Sequence, residues 1–295
     1  MELRHLRYFL AVVDHGTTAR AAEAALVAQP SLSRQLRRLE AELKLALFDH
    51  GGGRLRLTSA GRQFVPIARD LLARAAAAQE AARALGTGQV SRITIAAPVT
   101  TIADVIAPFI ATTGGHDAMI TVQEVLPADA YDALWRGADV AISSAPPPLH
   151  LAGGAVARLP VLAYPPPGHP WEERARVGIA ELAEQPLLLL TAEHGTRRLF
   201  DHAALRAGVR YATAFETSIP QIAQALAAAG RGVAVVSDDP RYGLHPVSVD
   251  GTDGPISISL FAGWSASHYA AATIAPLVER LSSYCVDRYG AQAAP

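Results

Sequence analysis

The sequence predicts an α/β chain: a winged helix-turn-helix head, one long linker helix, and a doubly wound α/β body. Three observations carry this. Residues 17–43 read as two helices joined by a tight turn. Residues 59–85 hold apolar positions at alternating spacings of four and three. Beyond Gly86-Thr87-Gly88 the pattern changes to strands alternating with helices, which implies parallel sheets covered on both faces.

A first helix is expected from about Leu3 to Asp14, buried along Leu3, Leu6, Phe9, Leu10 and Val13 and ended by Gly16. Thr17 suits the N-cap of the next, alanine-rich helix, which ends near Leu26. Pro30 fits the first turn of the third, where a missing N–H costs little. On that third helix Leu32, Leu36, Leu39 and Leu43 form one apolar stripe, while Pro30, Ser33, Arg34, Arg37 and Arg38 fall on the other side. One face packs and the other carries hydroxyls and guanidiniums, the layout in which a second helix enters the DNA major groove. Leu47-Phe48 then packs back, His50-Gly51-Gly52-Gly53 turns, and Arg54-Leu55-Arg56-Leu57 alternates like a short strand. This is a wing, with Arg54 and Arg56 placed to reach phosphate. Thr58 can cap a helix from Ser59 to about Leu85, roughly 40 Å long at 1.5 Å per residue. Its seam is Phe64, Ala68, Leu71, Ala75, Ala78, Ala82 and Leu85. A long amphipathic helix cannot bury such a seam alone, so the seam predicts a dimer.

In the body, Arg92–Ala97, Met119–Val125 and Val140–Ser143 read as strands, with helices over about 101–111 and 128–135 between them. Val156–Tyr164 crosses into a second unit, with strands near 187–190, 211–216 and 233–237 and helices starting near Thr196 and Pro220. Ser257–Phe261 is a late strand, and a last helix covers about 266–284.

The Ala21-Ala22, Gln29-Pro30-Ser31-Leu32-Ser33-Arg34-Gln35 and Leu39-Glu40 segments are flanked by Leu3–Phe9 and by Leu55–Gly61. Together they resemble the LysR-type transcriptional regulators of bacteria, with high specificity over about residues 1–65 and more weakly beyond. The resemblance implies Gln29, Pro30, Ser31, Ser33, Arg34, Arg37 and Arg38 at DNA, with the wing arginines. It implies a body of two α/β subdomains with two crossovers, built like a periplasmic solute-binding protein. The expected divisions are a head over 1–58, a linker helix over 59–88 and an effector-binding domain over 89–295. Its subdomain I covers about 91–160 and 265–290, and subdomain II about 161–264. It further implies an interrupted palindromic operator, a small-molecule effector, and a dimer that pairs into a tetramer. Two positions depart from the family pattern. Thr18 stands where an aromatic or leucine is usual, and Asp49-His50 where an acidic-arginine pair is common.

Charge agrees with this division. Residues 1–90 hold 13 Arg and Lys against 8 Asp and Glu, a net of +5, whereas residues 91–295 hold 13 against 19, a net of −6. A basic head suits a polyanion, and an acidic body does not stick to one. Lys44 is the only lysine, so basic contacts fall to arginine, the better bidentate partner for phosphate and guanine. Cys285 is the only cysteine, which excludes an intrachain disulfide. The N-terminus leads into an amphipathic helix instead of a signal peptide, and no stretch approaches a membrane span. A cytoplasmic protein is expected.

No catalytic constellation, metal site or cofactor motif stands out. The 10 histidines include no His-Glu-x-x-His. Gly263-Trp264-Ser265-Ala266-Ser267 lacks the second glycine of a nucleophile elbow, and Gly230-Arg231-Gly232 precedes a strand instead of following one. A binding site fits better. Ligands of open α/β sheets bind at the carboxyl ends of strands, often at helix N-termini. Thr100, Thr101, Ser143, Ser144, Thr196, Thr217 and Ser218 all fall at such ends, and their hydroxyls suit a small carboxylate or another acceptor-rich molecule. The expectation is a regulator and not an enzyme. The alternative is a solute-binding protein with an incidental helical head, which the missing signal peptide and the arginine face oppose.

Overall fold

The structure, a computed structural model, describes residues 1–49 and 55–295. The chain divides into two compact units, Met1–Thr87 with Trp135–Gly137, and Gly88–Leu134 with Ala138–Pro295.

The first unit holds α1 (Leu3–His15), α2 (Thr18–Ala24), α3 (Gln29–Leu43), β1 (Phe48–Asp49), β2 (Arg56–Leu57) and α4 (Ser59–Thr87). Local chemistry sets most of these limits. Gly16 closes α1 in the left-handed region at φ 75°. Thr17 caps α2, its Oγ1 accepting from the Arg20 N–H at 3.2 Å. Pro30 lies in the first turn of α3. Leu6, Phe9, Leu32, Leu36, Leu39 and Leu47 form the core of the unit. The Glu40 carboxylate accepts from the N–H groups of Leu47 at 2.8 Å and Phe48 at 3.0 Å, which ties the end of α3 to the wing. β1 and β2 pair antiparallel, Phe48 opposite Leu57 and Asp49 opposite Arg56. Thr58 caps α4 by accepting from the Gly61 N–H at 2.9 Å.

The second unit contains two sheets, each with its own core. The first has the order β4 (Met119–Glu124), β3 (Arg92–Ala97), β5 (Val140–Ser143), β14 (Ser257–Trp264), β6 (Ala152–Pro160). β3 runs parallel to β4 and β5, but β14 runs antiparallel to β5 and β6. It is covered by α5 (Val99–Thr101), a π-helical turn over Ile102–Ile106, α6 (Ala107–Ile110) and the last helix, α11 (Ala271–Tyr289), around Ile93, Ile106, Phe109, Ile142, Ile274 and Cys285. The helix expected over 128–135 is a 3-10 turn, Pro127–Asp129, and the short α7, Asp132–Trp135.

The second sheet has the order β10 (Ala212–Thr217), β9 (Pro186–Leu190), β11 (Val233–Val236), β7 (Leu162–Tyr164), β12 (Val247–Gly251), β13 (Gly254–Pro255), with β8 (Arg176–Gly178) beside β12. β10, β9 and β11 are parallel, and β7 is antiparallel to both β11 and β12. Its helices are α8 (Ile179–Ala183), α9 (Gly195–Ala207) and α10 (Pro220–Ala228).

Two expectations need correction. The sheets are mixed and not parallel throughout, because β7 and β14 enter directly from the other sheet without a helical crossover. Moreover, β14 pairs within the first sheet, so the chain returns there at Ser257 and not near 264. Ile256 still packs in the second core and Ile258 in the first.

Candidate functional site

The polar face of α3 is the first candidate site. Gln29, Pro30, Arg34, Arg37 and Arg38 are exposed, and Ser31 and Ser33 are half-buried beside them. Gln29 Nε2 donates to Thr18 Oγ1 at 3.1 Å, so the hydroxyl at position 18 fixes the first side chain of α3. Thr18 also borders a recess lined by Leu36, Phe48 and Leu55. Arg38 pairs with Glu42 at 3.0 Å, and the same carboxylate takes the Met1 amino group at 2.8 Å. Arg34 and Arg37 have no carboxylate partner among the described residues, which leaves their guanidiniums available to an outside acceptor. Arg56 is exposed on β2. Arg54, His50 and the three glycines lie outside the described residues.

The seam of α4 splits into two parts. Phe64, Ala68 and Leu71 pack on the unit's own core, where Phe64 meets Phe9 with ring centroids 5.5 Å apart. Ala75 is half-buried, Ala78 and Ala82 are exposed, and Leu85 is 76% exposed. The spacing alone does not separate a surface spent inside the head from one left uncovered.

The second candidate site is the cleft between the two sheets of the body. It encloses about 60 Å³. It lies at the carboxyl ends of strands from both sheets, where Pro98 follows β3, Ser144 follows β5, Leu190 ends β9 and Ser237 follows β11. Thr100, Thr101 and Thr196, three of the sequence candidates, line it. So does Gly195 at the N-terminus of α9, where unpaired N–H groups and the positive end of the helix dipole favour an acceptor. The Thr196 hydroxyl bonds to Ser237 Oγ at 3.1 Å, joining the start of α9 to the end of β11.

The other candidates sit elsewhere. Ser143 is the last residue of a strand buried along its whole length. Its hydroxyl donates to Pro127 O at 3.3 Å and accepts from Ala145 N, so Ser144 reaches the cleft instead. Thr217 turns its Oγ1 to the Ile219 N–H at 3.1 Å. Ser218 is not on the cleft wall either; it hydrogen-bonds His194 through its backbone, and His194 is. Burial holds the His194 pKa below the usual histidine value, which keeps the ring neutral.

Sequence reasoning missed the acidic side of the cleft. Asp104, on the π-helical turn, and Asp238, after β11, both line it. Arg241 Nη2 donates to Asp104 Oδ1 at 2.6 Å, and the Asp239 N–H donates to Asp104 Oδ2 at 3.2 Å. Asp239 pairs in turn with Arg288 on α11. Asp104–Arg241 and Asp239–Arg288 therefore link the two sheets' layers in opposite senses. Asp238 is 4% exposed and its Oδ1 has no hydrogen-bond partner among the described residues. Burial first, and then the Asp104 charge, push its pKa up to about 7.

Comparison with known proteins identifies the family of both parts of the chain. Residues 3–62 match the family described as bacterial regulatory helix-turn-helix protein, lysR family, and residues 86–285 match the LysR substrate binding domain. The HTH-type transcriptional regulator CfxR of Cupriavidus necator is 27% identical over 304 aligned positions, 97% of this chain and 92% of that protein. The RuBisCO operon transcriptional regulator of Allochromatium vinosum is 27% identical over 262 positions, 85% of this chain and 82% of its own. Among solved structures, full-length CbnR complexed with its target DNA superposes with a TM-score of 0.77 at 22% identity, covering 96% of this chain and 99% of that one. The chain belongs to the LysR family of bacterial helix-turn-helix transcription regulators.

Proposed function

We propose that two copies of the head read the half-sites of an interrupted palindrome, and that a small effector in the cleft changes this binding. The observation that carries the first part is the face of α3, where Arg34 and Arg37 stand exposed beside Gln29 and two serines. Arginine pairs bidentately with guanine, and glutamine with adenine. The exposed seam positions Ala78, Ala82 and Leu85 of α4 support pairing of two copies, and a two-fold protein matches a two-fold operator. The cleft supports the second part: hydroxyls, a helix N-terminus and buried carboxyls converge in a small enclosed volume between two layers. Among solved relatives, CbnR has been crystallised on its target DNA. This reading makes the chain a cytoplasmic regulator and not a catalyst; among the described residues no helix is long and apolar enough to cross a membrane. The test is selection of duplexes from a random-sequence pool on the full-length protein. Two inverted half-sites about one or more helical turns apart are expected. A single unpaired site, or no enriched sequence, would refute it.

A further inference from the structure

Each carboxyl on the acidic side of the cleft has a cation except one. Asp104 has Arg241, and Asp239 has Arg288. Among the described residues Asp238 has neither; its side chain hydrogen-bonds the Asp104 carboxyl, which leaves Oδ1 unpaired, although it is the most deeply buried of the three. A buried carboxyl oxygen with no donor loses its hydration and gets nothing in return, so the position disfavours the chain unless something supplies a donor. Arg241 Nε is also buried without a partner, but Arg241 is not on the cleft wall, whereas Asp238 is. The rest of the wall carries no arginine or lysine, only Asp104, a neutral His194, hydroxyls and apolar side chains such as Leu159, Leu190 and Leu260. A bare carboxylate entering here would meet two acidic groups and no fixed cation.

We propose that the effector is a small protonated amine whose ammonium pairs with the Asp238 carboxylate, with any acceptor group of the same molecule taken by Thr100, Thr101 and the N-terminus of α9. This rests on the cleft being the effector site, and it changes the chemical class from the carboxylate read in the sequence to an amine or amino acid. A charge-assisted N–H to carboxylate bond in a water-poor cleft is among the stronger single contacts a site can offer. It also resolves the polar atom that the fold leaves unpaired.

The test is a thermal-shift screen of the full-length protein at millimolar ligand. The probes are primary amines and amino acids, each beside its desamino analogue. Members of the amine series should stabilise the protein, with their desamino partners at least tenfold weaker. Asp238→Asn keeps the shape and removes the charge. It should weaken the amine at least tenfold by calorimetric titration, about 1.4 kcal/mol or more. Two variants block the cleft itself. A Cβ at Gly195 would stand 3.0 Å from both Ile258 Cδ1 and Ser144 Oγ, already tighter than ordinary contact, so Gly195→Leu crowds the cleft wall there; Thr100→Phe adds bulk at another point of the wall. Each is used once its thermal transition is intact. Loss of binding in the blocked variants with full-strength binding to Asp238→Asn, or equal binding of the desamino analogues, would overturn the amine assignment and leave the cleft as the effector site. Binding untouched by both blocking variants would overturn the cleft reading itself. An amine series without a single binder would overturn the proposal as well.

Discussion

Asp238→Asn has a consequence that needs no ligand. In the folded chain the Asp238 carboxyl keeps its proton up to about pH 7, whereas in the unfolded chain it is lost near the ordinary value of 3.8. Between those limits the folded state binds the extra proton, so stability falls as pH rises across the window. Each pKa unit corresponds to about 1.4 kcal/mol, which sets a ceiling of about 4 kcal/mol for the whole interval. The asparagine variant carries no such proton. It should match the parent below about pH 4, gain on it progressively up to about pH 7, and keep a constant lead above that. The groups facing Asp238 are Asp104, Asp239 and Arg241, with the Tyr164 hydroxyl on its backbone carbonyl. Asp104 also titrates high, through its own burial, so the two carboxyls release protons as a coupled pair. His194 is held low by burial in both proteins and cancels in the difference. Urea unfolding, followed through the buried Trp171 of the second sheet's core, gives the two stability curves against pH. Parallel curves would mean that Asp238 is ionised at neutral pH and already compensated, and would sink the reasoning.

Three further predictions concern the first unit. Arg34→Ala should cost about 1–3 kcal/mol per half-site on a selected operator, while Arg56→Ala should weaken all duplexes alike and flatten the salt dependence; gel shifts at several salt concentrations separate the two, and an unchanged operator affinity rules out Arg34 as a base contact. Gly61→Ala should destabilise the head by about 3 kcal/mol or more, because its Cβ would stand 2.1 Å from the Leu47 carbonyl oxygen, and backbone there cannot give way; an unshifted first unfolding transition would contradict the close approach. Leu85→Asp should split the dimer without unfolding the head, since Leu85 is 76% exposed in the single chain, and light scattering that shows an unchanged mass would move the interface off the distal half of α4.

Much of the head was legible because its signals are local. Thr17, Pro30 and Thr58 act within four residues of where they stand, and the leucine stripe of α3 lies where its spacing puts it. The seam of α4 was only half legible. Phe64, Ala68 and Leu71 share the periodicity of Ala78 and Leu85, and period reports that a face is covered without naming the cover. The cleft was readable to the level of strand ends, and it failed where one residue decides. Ser143 and Ser144 are adjacent hydroxyls, and successive side chains of a strand point to opposite faces, so only the register selects Ser144. Asp238 and Asp239 follow an apolar strand, and nothing adjacent to them marks a buried carboxyl. Their burial is set by Asp104, 135 residues earlier than Asp239, and no local pattern carries that pairing.

That long-range pairing also makes the cleft's chemistry proton-linked. A protonated amine docks on ionised Asp238, yet below about pH 7 the free protein holds that carboxyl neutral. Binding there must expel the proton, so affinity should rise as pH approaches 7, by up to about tenfold per pH unit, and level off above it. The same event places a charge between Asp104–Arg241 and Asp239–Arg288, the two pairs that join the layers of the body. Ionising Asp238 without a ligand sets a carboxylate against Asp104 and competes for Arg241; ionising it against an ammonium leaves both cross-links intact. An ammonium therefore removes the charge penalty that ionised Asp238 would otherwise place on the two cross-links. Calorimetric titration of a binding amine at pH 6, in two buffers of different ionisation enthalpy, measures the release directly. Close to one proton per ligand is expected, falling toward none above pH 8. A heat independent of buffer at pH 6 would mean that the amine does not meet a protonated Asp238.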